Sequence, residues 1–306
     1  MKRDLVPRHS GWFLAIAAVE LALAATTAFG QGPWAVYVMD ADGSDVKKVN
    51  RDERSLFGSP VWLHDGKRIA YDGGRQGFDA SHIFVHTLGE EKPQDIGPGN
   101  TPSFSPDDQQ IAFLMVQNNT SGARPGIWVM NADGKSREWI CEGARPRWSP
   151  DGEKLVFSSG HEGFPSLYVY DTVSLEQVRV LDRGYDQVIG AAFSPDSNQL
   201  VFIGYKGGPV RASSTDSEGE VAVVDARAGA NPSVVCRSRV GWHPDWSPRG
   251  RKLLFRIHEN GMQQLQILDL DADGKPVPVP GQFGNRNSDG VWSPDGKQIV
   301  FISDRG

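Results

Sequence analysis

The chain has 306 residues, and its composition is that of an ordinary folded protein. Hydrophobic residues make up 39% and charged residues 23%, which excludes both a disordered chain and a protein with many membrane spans. The net charge of −6 and the lack of a Lys/Arg-rich block in the sequence predict that nucleic acid is not a partner. Two cysteines exclude a disulfide framework, and 35 glycines with 20 prolines indicate a fold rich in turns.

The first thirty residues have the three-part plan of a secretory signal. Basic residues lie within 1–11, an apolar stretch covers 12–29, and small residues suited to cleavage stand at its end. Glu20 interrupts the apolar stretch, and the alternative to a cleaved signal is an uncleaved membrane anchor. The protein would contact the membrane only if this segment stays uncleaved. We expect residues 1–30 to be a signal peptide and the mature chain to be periplasmic or secreted.

Six copies of one segment recur along the rest of the chain. In each copy an aromatic residue ends a short apolar strand, a Ser-Pro-Asp-Gly turn or a variant of it follows, and a second apolar strand comes next. A period of 40 to 50 residues in strand-like units indicates a propeller or a solenoid. Asp108 and Ser197 replace the turn glycine, so we expect their two turns to differ in shape from the others. The aromatic residues are Trp62, Phe104, Trp148, Phe193, Trp246 and Trp292, with spacings of 42, 44, 45, 53 and 46 residues.

A second series of strands alternates with these copies. Its segments are rich in β-branched and aromatic residues and alternate with period two, as strands do. They cover 35–40, 82–87, 126–131, 166–171, 220–225 and 264–269. A shorter outer strand follows each of them, as at 45–49 and 233–236. Four strands in each of six units predict an all-β, six-bladed β-propeller.

The two ends of the chain are expected to complete one blade between them. The first unit begins at its third strand, and the last unit stops after its second. Joining Gly306 to Gln31 would place Trp62 46 residues after Trp292, within the range of spacings inside the chain. We therefore predict that residues 31–306 form one propeller, closed by pairing N-terminal and C-terminal strands in one blade. Such closure removes the open edges that promote aggregation.

The repeated motif is similar to that of a known bacterial family. Copies of WSPDG at 148–152 and 292–296 are each followed by an apolar strand, and they alternate with segments such as VMDADG at 38–43. This pairing resembles the TolB-like, WD-repeat-like β-propeller family of bacteria. The resemblance covers 31–306 and the propeller domain alone, without the N-terminal domain of TolB. It implies an exported propeller whose partner is another envelope or periplasmic protein.

Residues three positions before each aromatic should form a ring near one mouth of the central channel. We expect a partner to contact the charged members of this region, at a solvent-filled rim, with a pH dependence near neutrality from the histidine. A set of salt bridges between blades is the alternative. The ring is Ser59, Thr101, Arg145, Gly190, His243 and Asp289, and two residues further on come Val61, Ser103, Arg147, Ala192, Asp245 and Val291. The candidate partner-binding residues are Arg145, Arg147, His243, Asp245 and Asp289.

Three other features carry weaker signals. The D-x-D-x-D-G sequence at 269–274 begins like a calcium loop, but Pro280 stands at its twelfth position and we interpret it as a hairpin turn. Cys141 and Cys236 lie on outer strands of different predicted blades, too far apart for a disulfide, and should be free and buried. The long polar loop at 203–219 is either a flexible insertion or a contact for a partner.

No catalytic centre is evident in the sequence. It contains no G-x-S-x-G motif and no histidine cluster with metal-ligand spacing, so we predict no catalytic residues, no cofactor and no metal site. The expected function is that of an exported, non-catalytic propeller acting as a protein-interaction scaffold in the cell envelope. The alternative is a carbohydrate-binding protein, or a polysaccharide lyase or hydrolase-like enzyme, that uses the channel mouth.

Overall fold

The fold is described from a computed structural model. It describes residues 34–50, 56–74, 80–116, 123–160, 164–182, 184–207, 218–259, 261–272, 274–282 and 286–305. The signal segment predicted at 1–30 lies outside the described residues, as does most of the long polar loop. Among the described residues, no helix is long and apolar enough to cross a membrane.

The described residues form 24 strands in six four-stranded sheets. The predicted all-β, six-bladed propeller is confirmed. In chain order the strands are β1 Ala35–Asp40, β2 Lys47–Lys48, β3 Leu56–Trp62, β4 Arg68–Gly74, β5 His82–Thr87, β6 Gln94–Pro98, β7 Asn100–Phe104, β8 Gln110–Met115, β9 Gly126–Asn131, β10 Glu138–Cys141, β11 Ala144–Trp148 and β12 Lys154–Ser159. They continue with β13 Ser166–Asp171, β14 Gln177–Arg179, β15 Gln187–Phe193, β16 Gln199–Tyr205, β17 Gly219–Asp225, β18 Ser233–Ser238, β19 Val240–Trp246, β20 Lys252–Glu259, β21 Met262–Asp269, β22 Val277–Pro278, β23 Asn287–Trp292 and β24 Gln298–Ser303.

Five blades are built from four consecutive strands each, and the sixth combines both ends of the chain. Blade 1 is β3–β6, blade 2 is β7–β10, blade 3 is β11–β14, blade 4 is β15–β18 and blade 5 is β19–β22. Blade 6 has the order β2-β1-β24-β23. The first strand of every blade therefore faces the axis of the ring, and in blade 6 this strand is β23. The outer strands lie at the rim of the ring, and two of them, β2 and β22, have only two residues each.

Each blade buries one aromatic ring from its second strand. Successive side chains of a strand point to opposite faces of its sheet, so each ring packs into the space between its own blade and a neighbouring blade. All of them are less than 2% exposed, and they are Tyr71, Phe113, Phe157, Phe202, Phe255 and Phe301. One apolar cluster, for example, joins Val156 of blade 3 to Phe202 and Ala222 of blade 4. The core is therefore a set of layers between blades.

The expectation that the turns at Asp108 and Ser197 differ in shape is wrong. Asp108 has a φ of 57° and Ser197 a φ of 60°, close to the 64° of Gly66 at the same turn position. The left-handed conformation is costly for residues with a Cβ, but each of these side chains forms a hydrogen bond that glycine could not form. The Asp108 carboxylate accepts from the backbone N–H of His64 at 2.9 Å, and Ser197 Oγ accepts from the N–H of Asp151 at 3.2 Å. Both bonds join neighbouring blades.

Cys141 and Cys236 lie on β10 and β18, the outer strands of blades 2 and 4, and both are free thiols. The expectation that they are buried is wrong, because both are only half-buried. Burial nevertheless raises the pKa of Cys141 to about 12, and it also raises the pKa of Cys236. Neither thiol is therefore an activated nucleophile at neutral pH.

The ring is closed by β1 and β24, as predicted. The two strands pair in register from Ala35 opposite Ser303 to Asp40 opposite Gln298. On its other side β1 pairs with the short outer strand β2. The strand β1 is therefore an interior strand of a blade whose other half lies more than 240 residues away in sequence.

This closure predicts opposite results for two proline substitutions. Val38→Pro should destabilise the protein by roughly 3 kcal/mol, since it removes a ladder hydrogen bond and a buried side chain from an interior strand. Lys48→Pro, on the exposed outer strand, should cost less than about 1 kcal/mol. Urea unfolding of both variants provides the measurement. Equal effects of the two substitutions would show that β1 is not held inside the ring.

Candidate functional site

The first strands line a central channel in three layers. We call the residues three before each aromatic the bulge ring: Ser59, Thr101, Arg145, Gly190, His243 and Asp289. The inner ring follows two residues later: Val61, Ser103, Arg147, Ala192, Asp245 and Val291. The turn ring lies two residues after each aromatic: His64, Pro106, Pro150, Pro195, Pro248 and Pro294. Each first strand thus runs from one mouth of the channel to the other.

Every bulge-ring residue has a left-handed backbone conformation. The φ values lie between 45° at Ser59 and 57° at Arg145, and Gly190 is the only glycine among the six residues. The pairing of each first strand with its second strand is irregular at the same point, as between Gly58 and Val61 in blade 1. The bulge interrupts the ladder and re-aims the side chain, and non-glycine residues in this conformation are concentrated at functional sites.

Arg145 and His243 meet across the bulge ring. The Arg145 guanidinium donates a hydrogen bond to Nε2 of His243, although the two residues belong to blades 3 and 5. The blade between them contributes Gly190, which has no side chain to stand in the way. Only about 10 Å³ of free space, close to the size of one water molecule, remains at this level of the channel. The Arg145–His243 bond therefore nearly closes the bulge-ring mouth.

His243 is neutral in this arrangement. Burial lowers its pKa well below the ordinary value, and the nearby guanidinium groups of Arg145, Arg147 and Arg256 lower it further. A neutral imidazole leaves Nε2 free to accept the hydrogen bond from Arg145. The expected pH dependence near neutrality is therefore wrong, because the imidazole would gain its proton only in clearly acidic solution.

Asp245 and Asp289 have different surroundings. Asp245 is buried, and its Oδ2 accepts a hydrogen bond from the backbone N–H of Trp292 in the next blade at 2.9 Å. Burial raises the pKa of Asp245, although the positive charge of Arg147 acts to lower it. Asp289 is half-buried and accepts a hydrogen bond from Ser288 Oγ at 2.8 Å. Asp245 therefore braces two blades, as the alternative interpretation of the charged residues anticipated, although through the backbone.

All five predicted residues lie along the channel, but the expected solvent-filled rim is wrong. His243 and Asp245 are each 8% exposed, and Arg145, Arg147 and Asp289 are half-buried. Because the channel narrows at the bulge ring, these side chains are more buried than residues on an open rim, although Arg145, Arg147 and Asp289 keep part of their surface accessible.

Sequence reasoning missed two charged residues on second strands. Arg256 of β20 donates to Gln263 Oε1 at 3.1 Å and to Ser288 Oγ of blade 6 at 3.2 Å. Asp72 of β4 accepts from the backbone N–H of Thr101 in blade 2 at 2.7 Å. Arg256 and Asp72 each stand directly after the buried aromatic residue of the second strand, where the other blades have an apolar or small residue. That break in the repeat is the sequence signal that could have revealed them.

A wider cavity of about 390 Å³ opens at the turn-ring end of the channel. All six inner-ring residues line it, together with the aromatic residues that follow them and most of the turn ring. Its mouth is formed by exposed residues such as His64, Pro150 and Pro195. The channel is therefore narrow at the bulge ring and wide at the turn ring.

The other sequence motifs give structural answers. Within the D-x-D-x-D-G sequence, Asp269 Oδ1 accepts a hydrogen bond from the backbone N–H of Asp271 at 3.0 Å, as in an ordinary Asx turn, while Asp273 lies outside the described residues. In the described part of the chain, no group of three or more His, Cys, Asp or Glu residues is placed to hold a metal ion.

The sequence matches the family described as the TolB beta propeller domain over residues 20–240. The chain belongs to this family. Relatives named "Tol-Pal system protein TolB" include those of Francisella tularensis subsp. mediasiatica (strain FSC147), 25% identical over 248 residues, and of Francisella tularensis subsp. holarctica (strain OSU18), also 25% identical. The alignment with the first covers 77% of this chain and 54% of the relative. The chain thus spans about half the length of the curated relatives it matches.

Solved structures agree with this membership at the level of the fold. The putative TolB from Agrobacterium tumefaciens aligns with a TM-score of 0.69 and 19% identity, over 90% of this chain and 100% of that one. TolB from Acinetobacter baumannii aligns with a TM-score of 0.63 and 20% identity, over 90% of this chain and 64% of that one. The TolB-type propeller identified from the repeated motif is therefore confirmed.

The left-handed bulge predicts an unusual order of stability at Thr101. A β-branched residue is strained at its φ of 47°, and its buried hydroxyl Oγ1 has no hydrogen-bond partner among the described residues. Thr101→Gly should therefore be more stable than Thr101→Ala by about 1 kcal/mol, since only alanine keeps the Cβ strain. Denaturant unfolding of the two variants measures the difference. As a control, Ala112→Gly in the regular strand β8 should be destabilising. Thr101→Ala being the more stable of the two would contradict the strained bulge.

The low pKa of His243 predicts a loss of stability in acid. In the unfolded chain the imidazole of His243 takes up a proton near pH 6.5, whereas in the folded chain it does not. The free energy of unfolding should therefore fall as the pH drops below that value, by up to about 1.4 kcal/mol per pH unit. His243→Gln, which can still accept from Arg145, should lose less stability over the same range. Melting temperatures between about pH 7.5 and pH 5 compare the two proteins. Parallel curves for the two would mean that His243 titrates normally.

Proposed function

We propose that this protein is an exported, non-catalytic propeller that binds another protein of the cell envelope at its bulge-ring mouth. The family membership and the relatives named as Tol-Pal system proteins support an interaction role in the envelope. In this proposal residues 1–30 are a signal peptide or an uncleaved anchor, residues 31–306 are the propeller, and the mature chain acts in the periplasm. The partner belongs to, or resembles, the proteins of a Tol-Pal-type system.

The bulge ring is the observation that carries the proposal. Packing alone would favour small residues all around the ring, as at Gly190, yet three blades place Arg145, His243 and Asp289 there in a strained conformation. Arginine presents a planar set of donors that matches a carboxylate on a partner chain. Non-glycine residues in this conformation are concentrated at functional sites, which supports recognition at this mouth.

The enzyme alternative has less support. The sequence relatives carry the Tol-Pal name, and the likeness to an oligogalacturonate lyase from Vibrio parahaemolyticus, at 16% identity and a TM-score of 0.50, is one of fold alone. A protein-binding role also uses the charged channel residues without requiring a nucleophile or a bound metal. We therefore prefer the interaction scaffold to the carbohydrate-binding or lyase function.

The proposal predicts that two ring substitutions weaken partner binding. The partner is first captured from the organism's own envelope fraction with the mature chain, then purified. Arg145→Ala and Asp289→Asn should each reduce its affinity by about 1–3 kcal/mol, as truncated charged contacts at protein interfaces do. Isothermal titration calorimetry with the purified partner gives the affinities, and melting temperatures show whether the variants are folded.

The matched control is Arg227→Ala, whose guanidinium is 70% exposed on the turn between β17 and β18, far from the channel. It should bind the partner as the unaltered chain does. If Arg145→Ala and Asp289→Asn melt much earlier but bind normally once folded, the ring residues are a brace between blades and the proposal is wrong.

A further inference from the structure

The wide cavity at the turn-ring end is separate from the proposed partner site. Its volume of about 390 Å³ lies in the range of pockets that hold small molecules. Trp148, Trp246 and Trp292 contribute to its wall, and exposed prolines form its mouth. At its far end the Arg145–His243 bond nearly closes the channel. The cavity is therefore a blind pocket whose wall combines aromatic and proline side chains with polar ones such as Ser103, Arg147 and Asp245.

Two opposite charges lie on the floor of this pocket. Arg147 of blade 3 and Asp245 of blade 5 both line it, and blade 4 contributes only the small Ala192 between them. Each charge acts on the pKa of the other, yet the two groups form no direct ion pair in the described structure. A gap between a cation and an anion at the base of a pocket can accommodate a ligand group that bridges the two charges.

Both floor residues can form further hydrogen bonds. No described residue accepts a hydrogen bond from the Arg147 guanidinium, which has five N–H donors in a planar arrangement. Because Arg147 is half-buried and lines the cavity, these donors can reach a ligand there. Asp245 uses Oδ2 for the backbone N–H of Trp292, and a carboxylate can accept several hydrogen bonds. Donors are thus available on one side of the floor and acceptors on the other.

We propose that this pocket binds a free α-amino acid with an apolar or aromatic side chain, as a zwitterion. Arg147 would hold the α-carboxylate in a bidentate pair, Asp245 would hold the α-ammonium group, and the side chain would lie against the tryptophan and proline wall. An α-amino acid has an ammonium and a carboxylate group attached to one carbon, so it presents both charges together to the floor of the pocket.

A ligand with a single charge fits the pocket less well. A simple carboxylate would be attracted by Arg147 but repelled by Asp245 in the same low-dielectric cavity. An amine would meet the reverse situation. A zwitterion satisfies both groups and leaves the net charge of the channel unchanged, which limits the cost of burying charge.

A matched ligand series on the mature chain tests the proposal without any mutation. The probes are L-phenylalanine, 3-phenylpropionate, which lacks the ammonium group, and 2-phenylethylamine, which lacks the carboxylate. Calorimetry gives the affinities, and tryptophan fluorescence reports directly on the wall, because phenylalanine does not absorb where tryptophan is excited. We expect L-phenylalanine to bind and each analogue to bind at least about tenfold more weakly.

Two substitutions then locate the binding site. Arg147→Met removes the guanidinium while keeping an unbranched side chain, and Asp245→Asn keeps an oxygen that can accept from the N–H of Trp292. Each should weaken L-phenylalanine binding by about tenfold or more, whereas Arg227→Met on the exposed rim should leave it unchanged. Melting temperatures identify any variant that fails to fold.

Three results would overturn the proposal: no binding of L-phenylalanine to the mature chain, equal binding of 3-phenylpropionate, or unchanged binding by folded Arg147→Met. None of these measurements includes a partner protein, so the outcome is independent of the bulge-ring proposal.

Discussion

The pairing of β1 with β24 is the contact on which the rest of the molecule depends. It converts a row of similar four-stranded sheets into a closed ring, and only a closed ring holds the six first strands around a common axis. Side chains reinforce this pairing, because the Tyr37 hydroxyl donates a hydrogen bond to the carbonyl of Arg305 and the Arg305 guanidinium lies over the rings of Tyr37 and Phe301. Without closure, residues such as Arg145 and His243, two blades apart, would have no fixed distance.

Closure explains how a repeated strand produces unequal ends of one channel. At the bulge ring the backbone is left-handed and side chains converge, so one long residue, Arg145, reaches His243 two blades away. Beyond the inner ring the strands end in turns, five of the six turn-ring residues are prolines, and the channel widens to the cavity of about 390 Å³. One mouth therefore suits recognition of a charged surface, and the other suits a small molecule with an apolar part.

The fold could be predicted because its signals are local and repeated. The aromatic residues, the Ser-Pro-Asp-Gly turns and the alternating strands recur in every unit, and the matching ends revealed the closure. Features that depend on contacts between blades could not be predicted. Asp108 and Ser197 keep the turn shape through hydrogen bonds to the preceding blade, and the left-handed bulge has a local signal only at Gly190. The burial of His243 follows from the narrowness of the channel, which no single repeat encodes.

The central claim is that the two ends of the chain form one blade, and an engineered disulfide tests it most directly. Ala35 and Ser303 lie opposite each other in the β1–β24 pair and are both small and buried, so cysteine fits at both positions. Directly paired strand residues have the Cα separation that a disulfide needs. Oxidation of the Ala35→Cys, Ser303→Cys double variant should produce an intramolecular bond, located by peptide mass spectrometry, and a higher melting temperature than in the reduced protein. Free thiols at positions 35 and 303 after oxidation, or a bond between these positions only across two chains, would contradict the closed ring, whereas Cys141 and Cys236 should remain free in either case.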